Sequence, residues 1–94
     1  MQLIGSEPTI SSVAVSTTTA TLASASGDRK YLMIWNQSGQ PLYVALGTSA
    51  AATDGNYSVK IDNDTGYEVP GIYQGPVSAI TASGSGNVNV TVID

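Results

Sequence analysis

The sequence predicts an all-β protein: a compact antiparallel β-sandwich of about eight short strands, with jelly-roll or immunoglobulin-like connections. Three observations carry this expectation. Several short runs alternate apolar and polar residues with a period of two, most plainly Val88, Val90 and Val92 against Asn89 and Thr91. Turn-forming clusters such as Ser38-Gly39-Gln40-Pro41 and Asp62-Asn63-Asp64-Thr65-Gly66 separate the runs at regular spacing. Charged residues make up only 11% of the chain while Ser, Thr, Gly and Asn abound, which favours tight turns and pleated strands over helices.

The elements follow in order. Residues 1–8 read as an N-terminal arm that ends at Glu7-Pro8, where proline removes a ladder donor; Leu3 and Ile4 are its apolar anchors. Residues 9–94 form one domain. Thr9 to Val15 is a strand with Val13 and Val15 on one face, and Thr17 to Ala23 is a Thr-rich second strand. A turn through Ser24 to Asp28 leads into the third strand, Lys30 to Asn36. The Ser38–Pro41 turn then leads into the fourth, Leu42 to Leu46. The stretch from Gly47 to Asn56 is a small-residue loop, with one helical turn expected at Ala50–Ala52 and a hairpin-type turn at Asp54-Gly55. Strands are expected at Tyr57–Ile61 and Tyr67–Val69, followed by an irregular loop bracketed by Pro70-Gly71 and Gly75-Pro76. Val77–Ala82 and Val88–Ile93 then read as a closing hairpin across the flexible Gly84-Ser85-Gly86 tip.

The third and fourth strands are the most informative. Read as a hairpin, they are apolar on both faces: Leu32 and Ile34 point one way, and Tyr31, Met33 and Trp35 the other. A small antiparallel domain needs only one apolar face per strand, so the second face calls for a covering partner. Tyr31, Met33 and Trp35 are therefore candidate contact residues, with Tyr43 across the expected hairpin and Leu3 and Ile4 in the arm. The chain has no Phe, so every aromatic carries a polar handle, which suits interfaces. Core filling and sugar stacking, the latter with Trp35 and Tyr73 as the platform, are the alternative uses of these rings.

Composition narrows the function. Ninety-four residues make one domain with a small core, and such cores gain from oligomerisation. With no Cys or His, disulfides and the usual zinc or haem ligands are ruled out as staples. Three basic residues against seven acidic ones, for a net charge of −4, argue against nucleic acid and anionic membranes as partners. The start of the sequence lacks the positive n-region and long apolar run of a secretory signal, and no later run is long enough for a membrane-spanning helix.

Catalysis would fall to carboxylates or lysine, but Asp54, Asp62, Asp64 and Glu68 sit in or beside turns, where Asp recurs for its backbone hydrogen bonds. The expectation is no enzyme and no cofactor. Asp62 to Glu68 fails as an EF-hand loop because Gly66 stands at its fifth position, so no metal site is assigned. Gly84-Ser85-Gly86 lacks the following helix and lysine of a phosphate loop.

The order Arg29-Lys-Tyr-Leu-Met-Ile-Trp-Asn36, a turn, then Pro41-Leu-Tyr-Val-Ala-Leu-Gly47 resembles small virion proteins of tailed bacteriophages, commonly head decoration (cement) proteins. Val59-Lys-Ile61, Gly66-Tyr-Glu-Val-Pro70, Gly75-Pro-Val-Ser-Ala-Ile80 and Val88 to Ile93 share the likeness, which covers roughly residues 28 to 94. Trp35 departs from it, since that position is more often polar in such proteins. The resemblance implies a non-enzymatic protein made in the bacterial cytoplasm. It would bind the major capsid protein on the outer surface of the head and bridge capsid subunits as a dimer or trimer. A carbohydrate-binding head- or tail-fibre module and a tail or neck component stand as alternatives.

Overall fold

A computed structural model describes residues 8–51 and 56–94. The arm residues Leu3 and Ile4 and the expected Asp54-Gly55 turn lie outside the described residues. Eight strands form: β1 (Thr9–Val15), β2 (Ala20–Ala23), β3 (Tyr31–Asn36), β4 (Leu42–Ala45), β5 (Val59–Ile61), β6 (Gly66–Val69), β7 (Val77–Thr81) and β8 (Gly86–Ile93). The described residues contain no helix; Ala50 and Ala51 are irregular, and Ala52 of the expected helical turn lies outside the described residues.

Two four-stranded antiparallel sheets result, with orders β1-β8-β3-β6 and β2-β7-β4-β5. Each strand of the first half pairs with its counterpart in the second: β1 with β8, β2 with β7, β3 with β6 and β4 with β5. The chain is thus a long antiparallel ribbon wound into a sandwich, which is the jelly-roll arrangement and not the immunoglobulin-like one.

This order corrects two expected hairpins. β3 and β4 lie in different sheets, as do β7 and β8, so the turns at 37–41 and 82–85 are crossovers between layers. Among the described pairings, β4 with β5 is the one that joins strands consecutive in the chain. The alternation of buried and exposed residues could not distinguish the cases. Leu32, Ile34, Leu42 and Val44 face the core equally well from one sheet or from two opposed sheets.

The inward positions make one continuous core. Val15, Leu32, Ile34, Val69, Val88 and Val90 from the first sheet meet Leu22, Leu42, Val44, Ile61, Val77 and Ala79 from the second. Burying a Val, Leu or Ile side chain contributes about 1.5–3 kcal/mol relative to exposure. Both layers are therefore satisfied internally before any outer face is covered.

Buried polar side chains close the two ends. At the end carrying the turns 37–41, 62–65 and 82–85, Asn36 occupies the next inward position of β3 after Leu32 and Ile34 and is fully buried. Its Nδ2 donates to the carbonyls of Gln40 (2.8 Å) and Ile61 (2.9 Å). Its Oδ1 accepts from the Ser38 amide (3.0 Å) and the Ser38 hydroxyl (2.7 Å). Its backbone donates to Thr65 O (2.9 Å) and accepts from Asp64 N (2.8 Å). One residue thereby ties β3 in the first sheet to β5 in the second and to both neighbouring turns. Gly86 is required at the same end, because a Cβ there would sit 2.5 Å from Ser38 O and 2.6 Å from Ser38 Cα. Backbone cannot yield as a flexible side chain can.

At the opposite end Arg29 is buried. Its guanidinium donates to the carbonyls of Ser24 (3.1 Å), Tyr73 (3.2 Å) and Gly75 (2.6 Å), joining the β2–β3 connection to the β6–β7 connection. Gln74 reinforces the junction through Nε2, which donates to Gly27 O and Arg29 O, both at 2.9 Å. Lys30 N donates to Ile93 O (2.7 Å), so the start of β3 is also held to the end of β8.

Asn36→Ala removes four side-chain hydrogen bonds and leaves buried amide and carbonyl groups unpaired. The expected loss is about 3 kcal/mol. Urea unfolding followed by circular dichroism measures it, and a loss below about 1 kcal/mol would contradict the bridging role.

Candidate functional site

β3 carries the site because its outward positions alternate with a saturated inward row. Tyr31 and Met33 are half-buried and Trp35 is 40% exposed, all on the outer face of the first sheet. The register brings further residues beside them. Met33 lies opposite Thr91 on β8 and Glu68 on β6, and Thr91 in turn lies opposite Ile10 on β1. Tyr31 lies opposite Ile93, and Trp35 opposite Asn89 and Gly66. The outcome is an apolar band that runs from Trp35 and Met33 along β3 to Tyr31, across to Ile93 on β8 and diagonally to Ile10 on β1.

Trp35 owes its position to Gly66. A Cβ on Gly66 would meet the indole Cε3 at 2.8 Å and the Met33 methyl at 2.9 Å. Both side chains therefore occupy the space over the bare backbone of edge strand β6, an arrangement known to support glycines in sheets. The indole is partly covered by this contact and remains 40% exposed.

Glu68 is the carboxylate on this face. Its Oε2 accepts a 2.6 Å hydrogen bond from the Tyr31 hydroxyl, which also lies 3.4 Å from Met33 Sδ. The hydrogen bond to Glu68, followed by desolvation and by the carboxylate's charge, raises the Tyr31 phenol above its ordinary value. The bond orients the ring along the strand and keeps the carboxylate beside the band.

The other candidate residues are not part of this surface. Tyr43 faces outward from the second sheet, since its neighbours Leu42 and Val44 face in; it is on the opposite side of the sandwich from Trp35, not across a hairpin. There it packs edge-on against Tyr57, with ring centroids 4.9 Å apart, and Lys60 Nζ is 5.9 Å from its ring centroid. Tyr73 also stands apart from Trp35. Its hydroxyl donates to Pro76 O (2.6 Å) and its ring fills the space beside Gly75, so it braces the β6–β7 connection. No shared Trp35–Tyr73 platform forms.

Sequence reasoning missed Ile10 and Ile93. The signal for Ile10 was its parity, opposite to that of Val13 and Val15; only the β1-β8-β3 order brings it to the same face, diagonal to Ile93 and across Thr91 from Met33.

Two clefts lie elsewhere. One of about 330 Å³ is lined by Ala45, Gly47, Thr48, Asn56, Tyr57 and Ser58. The other, of about 200 Å³, lies between Leu22, Val90 and Val92 with Arg29 and Asp94 at its rim, and the Arg29 guanidinium is already engaged by three carbonyls. Asp62, Asp64 and Glu68 do not converge: Asp62 O accepts from Thr65 within its turn, Asp64 takes a positive φ of 62°, and Glu68 binds Tyr31. Among the described residues no three acidic side chains gather as metal ligands do. No protein-family model and no curated protein matches the chain.

The Tyr31–Glu68 bond has a pH signature. The raised phenol means that its small contribution to stability is present below the unfolded tyrosine value near 10 and is lost as pH rises through the folded value. Glu68→Gln is expected to bring Tyr31 titration down toward the ordinary range, read by ultraviolet absorbance or by NMR of the ring. A titration unaffected by the substitution would show that the bond does not form in solution.

Proposed function

We propose that this protein is a non-enzymatic decoration (cement) protein of a bacteriophage head, binding the outer surface of the shell through the outer face of its first sheet. The observation that carries the reading is the apolar band itself. The inner core is complete, yet Trp35 at 40% exposure stands on the outer face with Met33 and Tyr31, and Ile10 at 69% stands on the same face diagonal to Ile93. These side chains lie outside the inner core, and a contiguous apolar band on a small domain marks a contact surface. The resemblance of residues 28 to 94 to phage virion proteins would make the major capsid protein the partner.

Binding of this kind stabilises by linkage. A protein that binds assembled shell and not free subunits shifts the equilibrium toward the shell. Many symmetric copies multiply a modest contact energy without new chemistry. The Trp35 indole would provide the anchor, as a large rigid side chain held in place by Gly66 before contact. Glu68 and the Tyr31 hydroxyl would supply the polar rim that sets orientation.

Trp35→Ala is expected to weaken attachment to shells lacking the protein by at least about tenfold, the effect of losing roughly 1.4 kcal/mol at an anchor. Co-sedimentation of purified protein with such shells measures this, with circular dichroism confirming an unchanged fold. Equal sedimentation of the folded variant and the parent protein would overturn the assignment of this face.

A further inference from the structure

We propose that β1 is a dimerisation edge: the outer side of β1 pairs antiparallel with β1 of a second copy about a two-fold axis centred on Ser12. The inference starts from the four sheet edges, β1 and β6 in one sheet and β2 and β5 in the other. Exposed edges are templates for strand addition, and proteins blunt them with charge, proline, bulges or brevity. Three of the four edges are blunted in this way. β6 has four residues, contains Glu68 and runs into Pro70. β5 has three residues with Lys60 at its centre. β2 has four residues, and its register shifts between Thr21 and Ala23.

β1 has none of these protections. It runs for seven residues, Thr-Ile-Ser-Ser-Val-Ala-Val, without charge or proline. Its register against β8 is unbroken from Thr9↔Val92 to Val15↔Gly86, so the strand is not bulged away. Among the described residues no strand pairs with its other side. Pro8 stands just before it and sets one limit of any added ladder.

The occupant follows from self-complementarity. A two-fold contact must match a surface to itself, which a charged strand does poorly and a neutral one well. Pairing about the midpoint places Ser12 opposite Ser12 of the second copy. On the outer face Ile10 then meets Ala14, large against small, on both sides of the axis. On the inner face Ser11 meets Val13 and Thr9 meets Val15. No like charges are apposed in any of these pairs. The product is a continuous eight-stranded sheet in the order β6-β3-β8-β1-β1-β8-β3-β6, with both Ile10, Met33 and Trp35 bands on one side. Two bands held rigidly side by side would engage a symmetric target together.

The test needs no shell, so its outcome is separate from that of the proposed function. Light scattering behind size exclusion of the full chain is expected to give twice the 9.6 kDa chain mass. Ser12→Glu and Ser12→Lys each place like charges across the axis, and each should run at the monomer mass with an unchanged circular dichroism spectrum. An equimolar mixture of the two should recover the dimer mass as a heterodimer, identified by native mass spectrometry. A monomeric parent protein, variants that stay dimeric, or a mixture that stays monomeric would each overturn the proposal.

Discussion

The fold depends on a single buried amide. Asn36 makes six hydrogen bonds, four through its side chain and two through its backbone, and these link β3 to β5 and to two turns. A sandwich of two short sheets has little to fix how its layers meet at the ends, because apolar packing is not directional. A fully satisfied polar side chain provides direction: the carbonyl of Ile61 in the second sheet must sit where the Asn36 amide points. Its donors and acceptors are all used, so its burial carries no penalty for an unpaired group.

The opposite end repeats the device with a charge. The Arg29 guanidinium spans two connections by three carbonyl contacts, and a planar fork suits that task better than a lysine ammonium would. Between these two fixed points lies β3, central in its sheet and paired on both sides, with β8 and β6. A strand so constrained holds its outward side chains in place. Trp35, Met33 and Tyr31 therefore project from a rigid strand, and a proposed contact through them would lose little further entropy. The band on the outer face is in this sense a consequence of how the ends are tied.

Much of this was legible in the chain. All eight strands lie where alternation and turn residues placed them, with ends shifted by a few residues: β2 begins at Ala20 and not Thr17, and β8 begins two residues early at Gly86. The faces of β3 were legible as well, since Leu32 and Ile34 are buried while Trp35 is exposed. Pairing was not. A period of two reports which side chains share a face but not which sheet the face belongs to. Turns of five residues such as 37–41 serve hairpins and crossovers alike. Tyr43 was therefore grouped with Trp35, and the band's true neighbours, Ile10 and Ile93, come from strands distant in sequence. The overlooked clue was Asn36, a polar residue at the inward parity of an otherwise apolar row. Such a residue needs partners from the opposite layer, which a hairpin in one sheet would not supply.

Native-state hydrogen exchange of the Asn36, Ser38 and Asp64 amides tests the central role of this residue most directly. All three are donors in the Asn36 network, yet they sit at a strand end and in turns, where amides ordinarily exchange by local fraying. These amides are expected to exchange only through global unfolding, with protection equal to that of Ile34 and Val90 in the core. Exchange as fast as that of the neighbouring exposed residues Gln37 and Asn63 would contradict it.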